Sequence, residues 1–363
     1  MGARFFFGLV AITISACGAY ASDPDPTPAT SPAPAPTGET APEPAAPGLP
    51  TSPEPGPAVP PSSGPALDVV LSGRPIHAFA IGDAHVFTIE TDVQTRLVSI
   101  EKAAPHGVKV LIEEDVLDGV RFESVGFARG RVFVADTYGA VKSAKSDGSD
   151  VKHEYVPGSP TRLLSAPQTL WLAELPQFLG DELGFHWFGA MPAQVTPANA
   201  RITPAGTVGD LAVDDEALVY ATRGSTTTLR HWAPATASAR GGHRLLATLP
   251  EEGRGVGIDT QRAYVVLSAA KEIRGYDRTT GASTTVLTSA SFDTVPQLRS
   301  DGQNLYMLTE TALRRCSLAA CAGTTKVLAA GLTAARALVV DQTHAWIVMA
   351  PKGKTGAIAR VLK

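Results

Sequence analysis

Five ionisable residues stand at one repeated position of this sequence and could together bind a charged ligand. They are His77, Glu123, Asp210, Arg254 and Arg336. Each lies ten residues before an aromatic residue of the sequence repeat described below. A ring of carboxylate, imidazole and guanidinium groups would suit a ligand with separated charges, or a partner with a complementary charged patch. The alternative is that these groups only pair with one another or with water.

No stretch of the chain carries a catalytic motif in its required context. Residues 253–257 have a glycine rhythm, but an apolar strand follows them where dinucleotide binding needs a helix. Residues 353–355 lack the earlier glycine of a phosphate loop, and His153-Glu154 lacks the second histidine of a zinc protease. We therefore predict no catalytic residue, no metal site and no cofactor.

A short apolar run, a polar turn and an apolar–aromatic pair recur seven times. The aromatic residues are Phe87, Phe133, Trp171, Tyr220, Tyr264, Tyr306 and Trp346. Their separations of 46, 38, 49, 44, 42 and 40 residues are typical of four-stranded propeller blades. The sequence therefore predicts an all-β, seven-bladed β-propeller with few helices. Six blades are the alternative, because the third repeat is irregular.

The repeat also predicts where each blade begins and how the ring closes. The innermost strands are predicted at residues 76–82, 122–128, 161–166, 210–215, 254–259, 296–300 and 336–341. The last repeat stops after its third strand, and residues 67–72 read like an outer strand. We expect this segment to complete the last blade and so to remove an exposed sheet edge.

The blade geometry places the five ionisable residues at the mouth of a central channel. The innermost strands begin at that face, and the connections between second and third strands emerge there too. The third repeat adds an apolar insertion on this face, residues 175–184, with Phe178, Phe185 and Trp187 in or beside it. Aromatic side chains on a rim could anchor a partner protein. The alternative is that the loop covers its own blade.

The N-terminal 65 residues are predicted to be an export signal and a tether. Arg4 and the apolar run after it form a secretion signal too short to span a bilayer. Residues 14–17 resemble a bacterial lipobox, which implies a signal of residues 1–16 and acylation of Cys17. Residues 22–65 contain 16 prolines in 44 residues, so residues 17–65 form an extended spacer before a domain at 66–363. The alternative is ordinary signal cleavage after residues 19–21 and secretion.

The charge balance and the cysteine content limit the classes of partner that the chain could bind. The chain has 31 basic and 35 acidic residues, and removing Arg4 and the five acids of the spacer leaves 30 of each. A balanced domain offers no footprint for nucleic acid. Cys316 and Cys321 are expected to form a disulfide in an oxidising envelope. We expect a monomer that contacts the membrane only through its lipid and binds an envelope protein or a small molecule.

Two repeats resemble known propeller families. Residues 131–137 (RVFVADT) are similar to the NHL core, and residues 301–306 (DGQNLY) are similar to a YWTD strand pair. Residues 67–363 thus resemble the YWTD, NHL and YncE-like secreted propellers, which implies extracellular binding or, in some relatives, metal-dependent lactone hydrolysis. We interpret the chain as an envelope binding or scaffolding module, with the lactonase-like hydrolase as the alternative. Gly18 stands where an aspartate would resemble an inner-membrane retention signal, so the outer membrane is favoured.

Overall fold

The computed structural model describes residues 66–116, 119–154, 162–174, 183–188, 200–202, 207–223, 227–234, 242–288, 297–350 and 355–363. Within these ranges almost every element is a strand, and the single helix, α1, covers only Cys321–Thr324. No described helix has the length and apolarity needed to cross a membrane. The minor helical content agrees with the absence of any sustained 3.6-residue apolar period.

The described strands form seven antiparallel sheets of four strands each. The first strand, β1, covers Asp68–Arg74. Sheet 1 contains β2 (Ile76–Ile81), β3 (His85–Thr91), β4 (Gln94–Glu101) and β5 (Val108–Asp115). Sheet 2 contains β6 (Phe122–Ala128), β7 (Arg131–Asp136), β8 (Val141–Lys145) and β9 (Lys152–Glu154). Sheet 3 contains β10 (Arg162–Ser165), β11 (Leu170–Glu174), β12 (Leu183–Phe188) and β13 (Ala200–Ile202).

The remaining sheets continue in chain order. Sheet 4 contains β14 (Thr207–Val213), β15 (Leu218–Arg223), β16 (Thr228–Ala233) and β17 (Gly242–Thr248). Sheet 5 contains β18 (Gly253–Ile258), β19 (Arg262–Leu267), β20 (Glu272–Asp277) and β21 (Ser283–Thr288). Sheet 6 contains β22 (Gln297–Ser300), β23 (Asn304–Leu308), β24 (Ala312–Ser317) and β25 (Lys326–Ala330). Sheet 7 contains β26 (Ala335–Val340), β27 (His344–Met349) and β28 (Gly356–Leu362), and β1 is its fourth strand.

Sheet 7 therefore combines strands from both ends of the described chain. The strand predicted at residues 67–72 is found as β1, and Val69 lies opposite Ala359 of β28. The Arg360 guanidinium donates through Nε to Oδ2 of Asp68 at 2.7 Å. This pairing covers the β28 edge, which would otherwise present unpaired backbone groups to solvent.

The seven repeated aromatics all lie on the second strands of their sheets. Six of the seven are buried between sheets. The ring of Phe87 in sheet 1 stacks on Phe127 of sheet 2, with 5.3 Å between centroids. The indole of Trp171 in sheet 3 meets Trp232 of sheet 4 edge-on at 5.5 Å. Trp346 of sheet 7 packs in one cluster with Val86 of sheet 1. Large aromatic rings fill the gap between twisted sheets and bury apolar area there.

In sheets 5, 6 and 7 an aspartate at the first turn accepts a hydrogen bond from the repeated aromatic side chain. This bond explains why the aromatic residue is Tyr or Trp in these sheets. In sheet 7, Oδ1 of Asp341 accepts the amides of Thr343 and His344, which fixes the turn. Its other oxygen, Oδ2, accepts the Trp346 indole N–H at 2.8 Å. Asp259 with Tyr264, and Asp301 with Tyr306, repeat this arrangement. Sheet 1 has Gly82 at the corresponding turn, and its aromatic is a phenylalanine, which needs no acceptor.

Sheet 4 departs from the predicted alignment by one residue. In the other sheets the aromatic lies opposite the residue two positions before the turn, as Phe87 lies opposite Ala80. In sheet 4 the residue two positions before the turn lies opposite Val219. The aromatic Tyr220 lies opposite Leu211. Because neighbouring strand residues face opposite sides, Tyr220 packs towards sheet 3 while Val219 packs towards sheet 5. The alignment of Tyr220 with the other aromatics was therefore wrong.

The predicted disulfide joins Cys316 and Cys321, with their Cα atoms 4.8 Å apart. Both sulfur-bearing side chains are buried in the cluster that contains Tyr264 and Leu298. The bridge closes a loop of only a few residues between β24 and α1, so it restricts the unfolded chain only slightly.

Replacing both Cys316 and Cys321 by serine is expected to lower the free energy of unfolding by about 1–2 kcal/mol, because the closed loop is short. Urea unfolding of the oxidised protein and of the double variant measures this difference. The Cys316→Ala, Cys321→Ala variant is the control for burying two hydroxyl groups in place of the sulfurs. A loss above about 4 kcal/mol in the alanine variant would mean that the bridge does more than staple this loop.

Candidate functional site

The innermost strands begin with a recurrent β-bulge, at the end of the sheets that we call the mouth. One extra residue on the inner strand faces the second strand at His77, Glu123, Gly209 and Arg336. Sheet 5 has an equivalent irregularity just after Arg254. A bulge leaves one residue outside the ladder and redirects its side chain. The corresponding positions of sheets 3 and 6, residues 161 and 296, lie outside the described residues.

The bulge brings His77 and Glu123 together across sheets 1 and 2. Nε2 of His77 lies 3.1 Å from Oε2 of Glu123. The other carboxylate oxygen, Oε1, accepts the Arg121 Nε–H at 2.5 Å. The side chain of His77 is 42% exposed and that of Glu123 is 26% exposed, so both remain accessible from the mouth.

A second group at the mouth is centred on Glu252, which comes just before β18. Its Oε1 accepts Nε–H of Arg223 at 2.5 Å, and its Oε2 accepts Nη2–H of Arg254 at 2.9 Å. The hydrogen bond from Arg254 holds the pKa of the Glu252 carboxyl below its usual value. Both arginines thus share one carboxylate that stays ionised, and the group of three side chains keeps a net positive charge.

The acids and arginines at the mouth form local ion pairs. Arg74 forms an ion pair with the buried carboxylate of Glu90 at 2.7 Å. Arg121 and Glu252, which lie outside the repeated positions, supply the counter-charges for Glu123 and Arg254. The described part of the mouth is therefore a mosaic of local ion pairs.

Asp210 does not occupy the repeated bulge position, because the register of sheet 4 places Gly209 there. Its Oδ2 accepts a hydrogen bond of 2.8 Å from the backbone amide of Val256 in sheet 5. Its Oδ1 accepts a hydrogen bond from the backbone amide of the next residue, Leu211. Ser124 and Gln297 at the same register position accept amides of the next sheet in the same way, from Leu163 and Leu338. Asp210 thus joins two innermost strands.

Arg336 is at the predicted position but binds no carboxylate among the described residues. Its Nη2 donates to the carbonyl oxygens of Ile76 and His77 in sheet 1. Burial lowers the pKa of the Arg336 guanidinium. The contact ties the first and seventh sheets together at the mouth.

Arg299 is a charged residue of an innermost strand that the repeat did not single out. It lies in β22 opposite Tyr306, and Nη1 donates to the Leu298 carbonyl at 2.8 Å. Burial lowers its pKa, while the charge of Asp210, two sheets away, acts in the opposite direction. The equivalent position carries a small residue in four other sheets: Ala80, Gly126, Ala212 and Gly257. That contrast was present in the sequence and could have identified Arg299.

The other predicted site residues are only partly within the described structure. Phe178 and Cys17 lie outside it. Phe185 and Trp187 belong to strand β12, where their Cα partners on β11 are Ala173 and Trp171. The two residues therefore occupy the third strand of sheet 3, and the predicted rim insertion precedes them.

The described residues provide no group of three His, Cys, Asp or Glu side chains placed to hold a metal ion. His77 and Glu123 do meet, but Arg121 already occupies one oxygen of that carboxylate. Asp210 is bonded to backbone amides. His77, Glu123 and Asp210 therefore do not form such a group of three.

Similarity to solved structures identifies the architecture. Virginiamycin B lyase from Staphylococcus aureus aligns with a TM-score of 0.57 and 11% identity, over 82% of this chain and 98% of that chain. A streptogramin B lyase aligns with a TM-score of 0.54 and 12% identity, over 80% and 95% of the two chains. Sqt1 from Saccharomyces cerevisiae aligns with a TM-score of 0.51 and 10% identity, over 83% and 99%. This chain has the β-propeller fold. No protein-family model matches its sequence, and no curated protein matches it either.

Proposed function

We propose that the chain is a closed, seven-bladed propeller tethered to a bacterial envelope membrane, where it works as a binding or scaffolding module through the mouth. The lipidated Cys17 and the proline-rich residues 17–65 would hold residues 66–363 away from the membrane surface. The outer membrane is the proposed location. The partner is an envelope protein or a small molecule.

Contacts between the first and seventh sheets support a closed ring. Lys102 of sheet 1 donates to Asp341 of sheet 7 at 2.7 Å. Arg360 of β28 donates to the Lys102 carbonyl, and Arg336 donates to the Ile76 carbonyl. Together with the β1–β28 pairing, these bonds would seal the ring and leave no free sheet edge between its ends.

The observation that carries the binding role is the repeated bulge at the mouth. Successive sheets use the same backbone device to present chemically different side chains on one face: an imidazole, a carboxylate and guanidinium groups. The side chains of Arg223 and Arg254 are 44% and 47% exposed, so ion pairing does not hide them. A mosaic of exposed ion pairs contributes little to stability, and it gives a partner specific charges to match.

Photocrosslinking from the mouth tests this function. A photoreactive residue placed at Arg254 in intact cells is expected to attach to the partner, and one placed at Lys326 on outer strand β25 is not. Introducing Glu123→Ala is expected to reduce the attachment at least fivefold, with circular dichroism showing an intact fold. Equal labelling from both positions, or labelling that Glu123→Ala leaves unchanged, would contradict the mouth as the binding face.

The second candidate is a metal-dependent hydrolase of the lactonase kind with its site in the channel. The observation in its favour is that two of the similar structures are lyases by name, so this fold serves enzymes as well as binding proteins. Metal analysis of the purified chain discriminates between the two. Stoichiometric calcium or zinc that Glu123→Ala removes would favour the hydrolase.

A further inference from the structure

We infer that a cavity between sheets 5 and 6, at the end of the sheets opposite the mouth, binds a small carboxylate with an apolar body. The cavity has a volume of about 400 Å³, which is within the range of small-molecule sites. Arg262 and the start of β21 line one side, and residues 318–323 line the other. We call residues 316–323, which include the bridge between Cys316 and Cys321, the disulfide loop. The inference concerns a second surface and does not depend on the proposed binding role of the mouth.

The alternation of side chains along β19 places Arg262 on the cavity side. Arg262 begins β19 and Tyr264 follows two residues later, so their side chains share one face of sheet 5. Tyr264 packs in one buried cluster with Cys316 and Cys321 of sheet 6. The side chain of Arg262 is therefore directed towards the disulfide loop, and it lines the cavity.

The positive charge of Arg262 is available to a ligand. Among the described residues, no carboxylate lies within ion-pair distance of its guanidinium, and the charge of Asp277 acts on it only at longer range. Asp277 is the Cα partner of Arg262 on β20, and its Oδ1 accepts the amides of Thr279 and Thr280. A guanidinium carries its N–H donors in a planar fork that matches a carboxylate bidentately.

The rest of the cavity is largely apolar. Val286 of β21 and Leu318 of the disulfide loop pack against the buried cluster and line the cavity, as does Cys321. Thr284 lies opposite Gly275, which has no side chain to fill the space between the sheets. An apolar surface with one cationic fork favours a ligand that buries a hydrocarbon group there and offers a carboxylate to the arginine.

The disulfide loop gives the cavity a fixed wall. Besides the bridge, the hydroxyl of Thr324 accepts the Ser317 amide and donates to the Ala320 carbonyl, both at 2.9 Å. Because the bridge closes only a short loop, its effect on global stability is small and its main effect is local. A wall that is ordered before binding lowers the entropic cost of holding a small ligand.

Calorimetric titration of the purified full chain tests the site with matched probes. Benzoate carries an apolar ring and a carboxylate, benzyl alcohol carries only the ring, and acetate carries only the carboxylate. Benzoate is expected to bind roughly tenfold more tightly than either, because only benzoate uses both the arginine and the apolar wall. N-acetyl-leucine presents the same chemistry as the last residue of a peptide. Binding of either acid by this margin supports the site, and the tighter of the two identifies the source of the ligand.

Three variants locate the binding. Arg262→Met is expected to weaken benzoate binding roughly tenfold, because it removes the charge and keeps an apolar chain. Lys326→Met is the matched control and should change the affinity less than about twofold, because this exposed cation on β25 does not line the cavity. Ala320→Phe fills the cavity and leaves the arginine in place, so it is expected to abolish benzoate binding.

The site is overturned if benzyl alcohol binds as tightly as benzoate, if neither acid exceeds acetate by this margin, or if Arg262→Met keeps the affinity of the unmodified chain. If Arg262→Met lowers the melting temperature by more than about 5 °C, Ala320→Phe decides, because it changes an exposed residue. Retained binding in that variant overturns the site. Benzoate binding that Glu123→Ala abolishes would place the ligand at the mouth and would overturn the site as well.

Discussion

Replacing Trp346 by alanine is expected to lower the free energy of unfolding by about 3–5 kcal/mol, the range for deleting a buried Trp side chain. The side chain has no exposed surface and packs against sheet 1 residues such as Val86 and Ile100. Its indole N–H is bonded to Asp341, and the ammonium of Lys102 and the guanidinium of Arg360 lie 5.4 Å from its ring. The change thus removes packing, a hydrogen bond and two cation–π contacts where the first and seventh sheets meet. Urea unfolding measures the loss.

Trp346→Phe is the control for the hydrogen bond alone. Phenylalanine retains most of the apolar area but leaves one oxygen of Asp341 without its indole donor, so we expect a loss of about 1–2 kcal/mol. Lys102 still reaches that oxygen, which limits the cost. A loss below about 1 kcal/mol for Trp346→Ala would show that sheets 1 and 7 are not packed against each other through this residue.

The sheet pattern could be predicted from the sequence because it depends on residues with a single suitable environment. A large aromatic that follows an apolar residue is typical of a strand packed between sheets, and seven copies at similar spacing predict seven similar units. The same reasoning placed β1 beside the last repeat, because an isolated outer strand needs a partner. Cys316 and Cys321 were the two cysteines left in the globular part, and their proximity in sequence matched their proximity in space.

The register of sheet 4 could not be read in the same way. Tyr220 follows Val219, and either residue satisfies the apolar requirement of a second strand. The separation from Trp171 is longer than the other repeat lengths for Val219 and for Tyr220 alike. It therefore does not decide which of the two residues faces sheet 5. A shift of one residue reverses the face of every side chain, and this is why Asp210 was assigned to the bulge position that Gly209 occupies.

Charge pairing at the mouth was hidden for a different reason. The counter-charges of Glu123 and Arg254 stand two residues before them, at Arg121 and Glu252, where the repeat has no constant feature. A search at one fixed offset from the aromatics finds one member of each pair and misses the other. The missed residues place Glu123 and Arg254 in local ion pairs, whereas Arg299 and Arg336 donate to backbone carbonyl oxygens.

Lowering the pH from 7.5 to 4.5 is expected to cost the protein about 1–2 kcal/mol of stability through His231, because solvent screening at a half-buried group reduces the full effect of its pKa shift. This histidine lies in β16, half-buried between Val219 and Arg244 of the neighbouring strands. Burial, followed by the charges of Arg278, Arg244 and His243, lowers its pKa to about 4. Because the folded protein disfavours the charged form, the stabilisation is complete above pH 6.5 and is lost as the pH falls towards 4.

Comparing the protein with its His231→Gln variant isolates this effect from the other titrating groups. The pKa values of His243 and His344 are also lowered by burial, so acid destabilises the variant too, and only the difference between the two pH profiles belongs to His231. Glutamine keeps a polar side chain that does not titrate, so the variant should lose less stability between pH 7.5 and 4.5 in urea unfolding. Parallel pH profiles would mean that His231 is protonated as easily in the folded protein as in the unfolded chain. The imidazole on β16 would then be accessible to solvent.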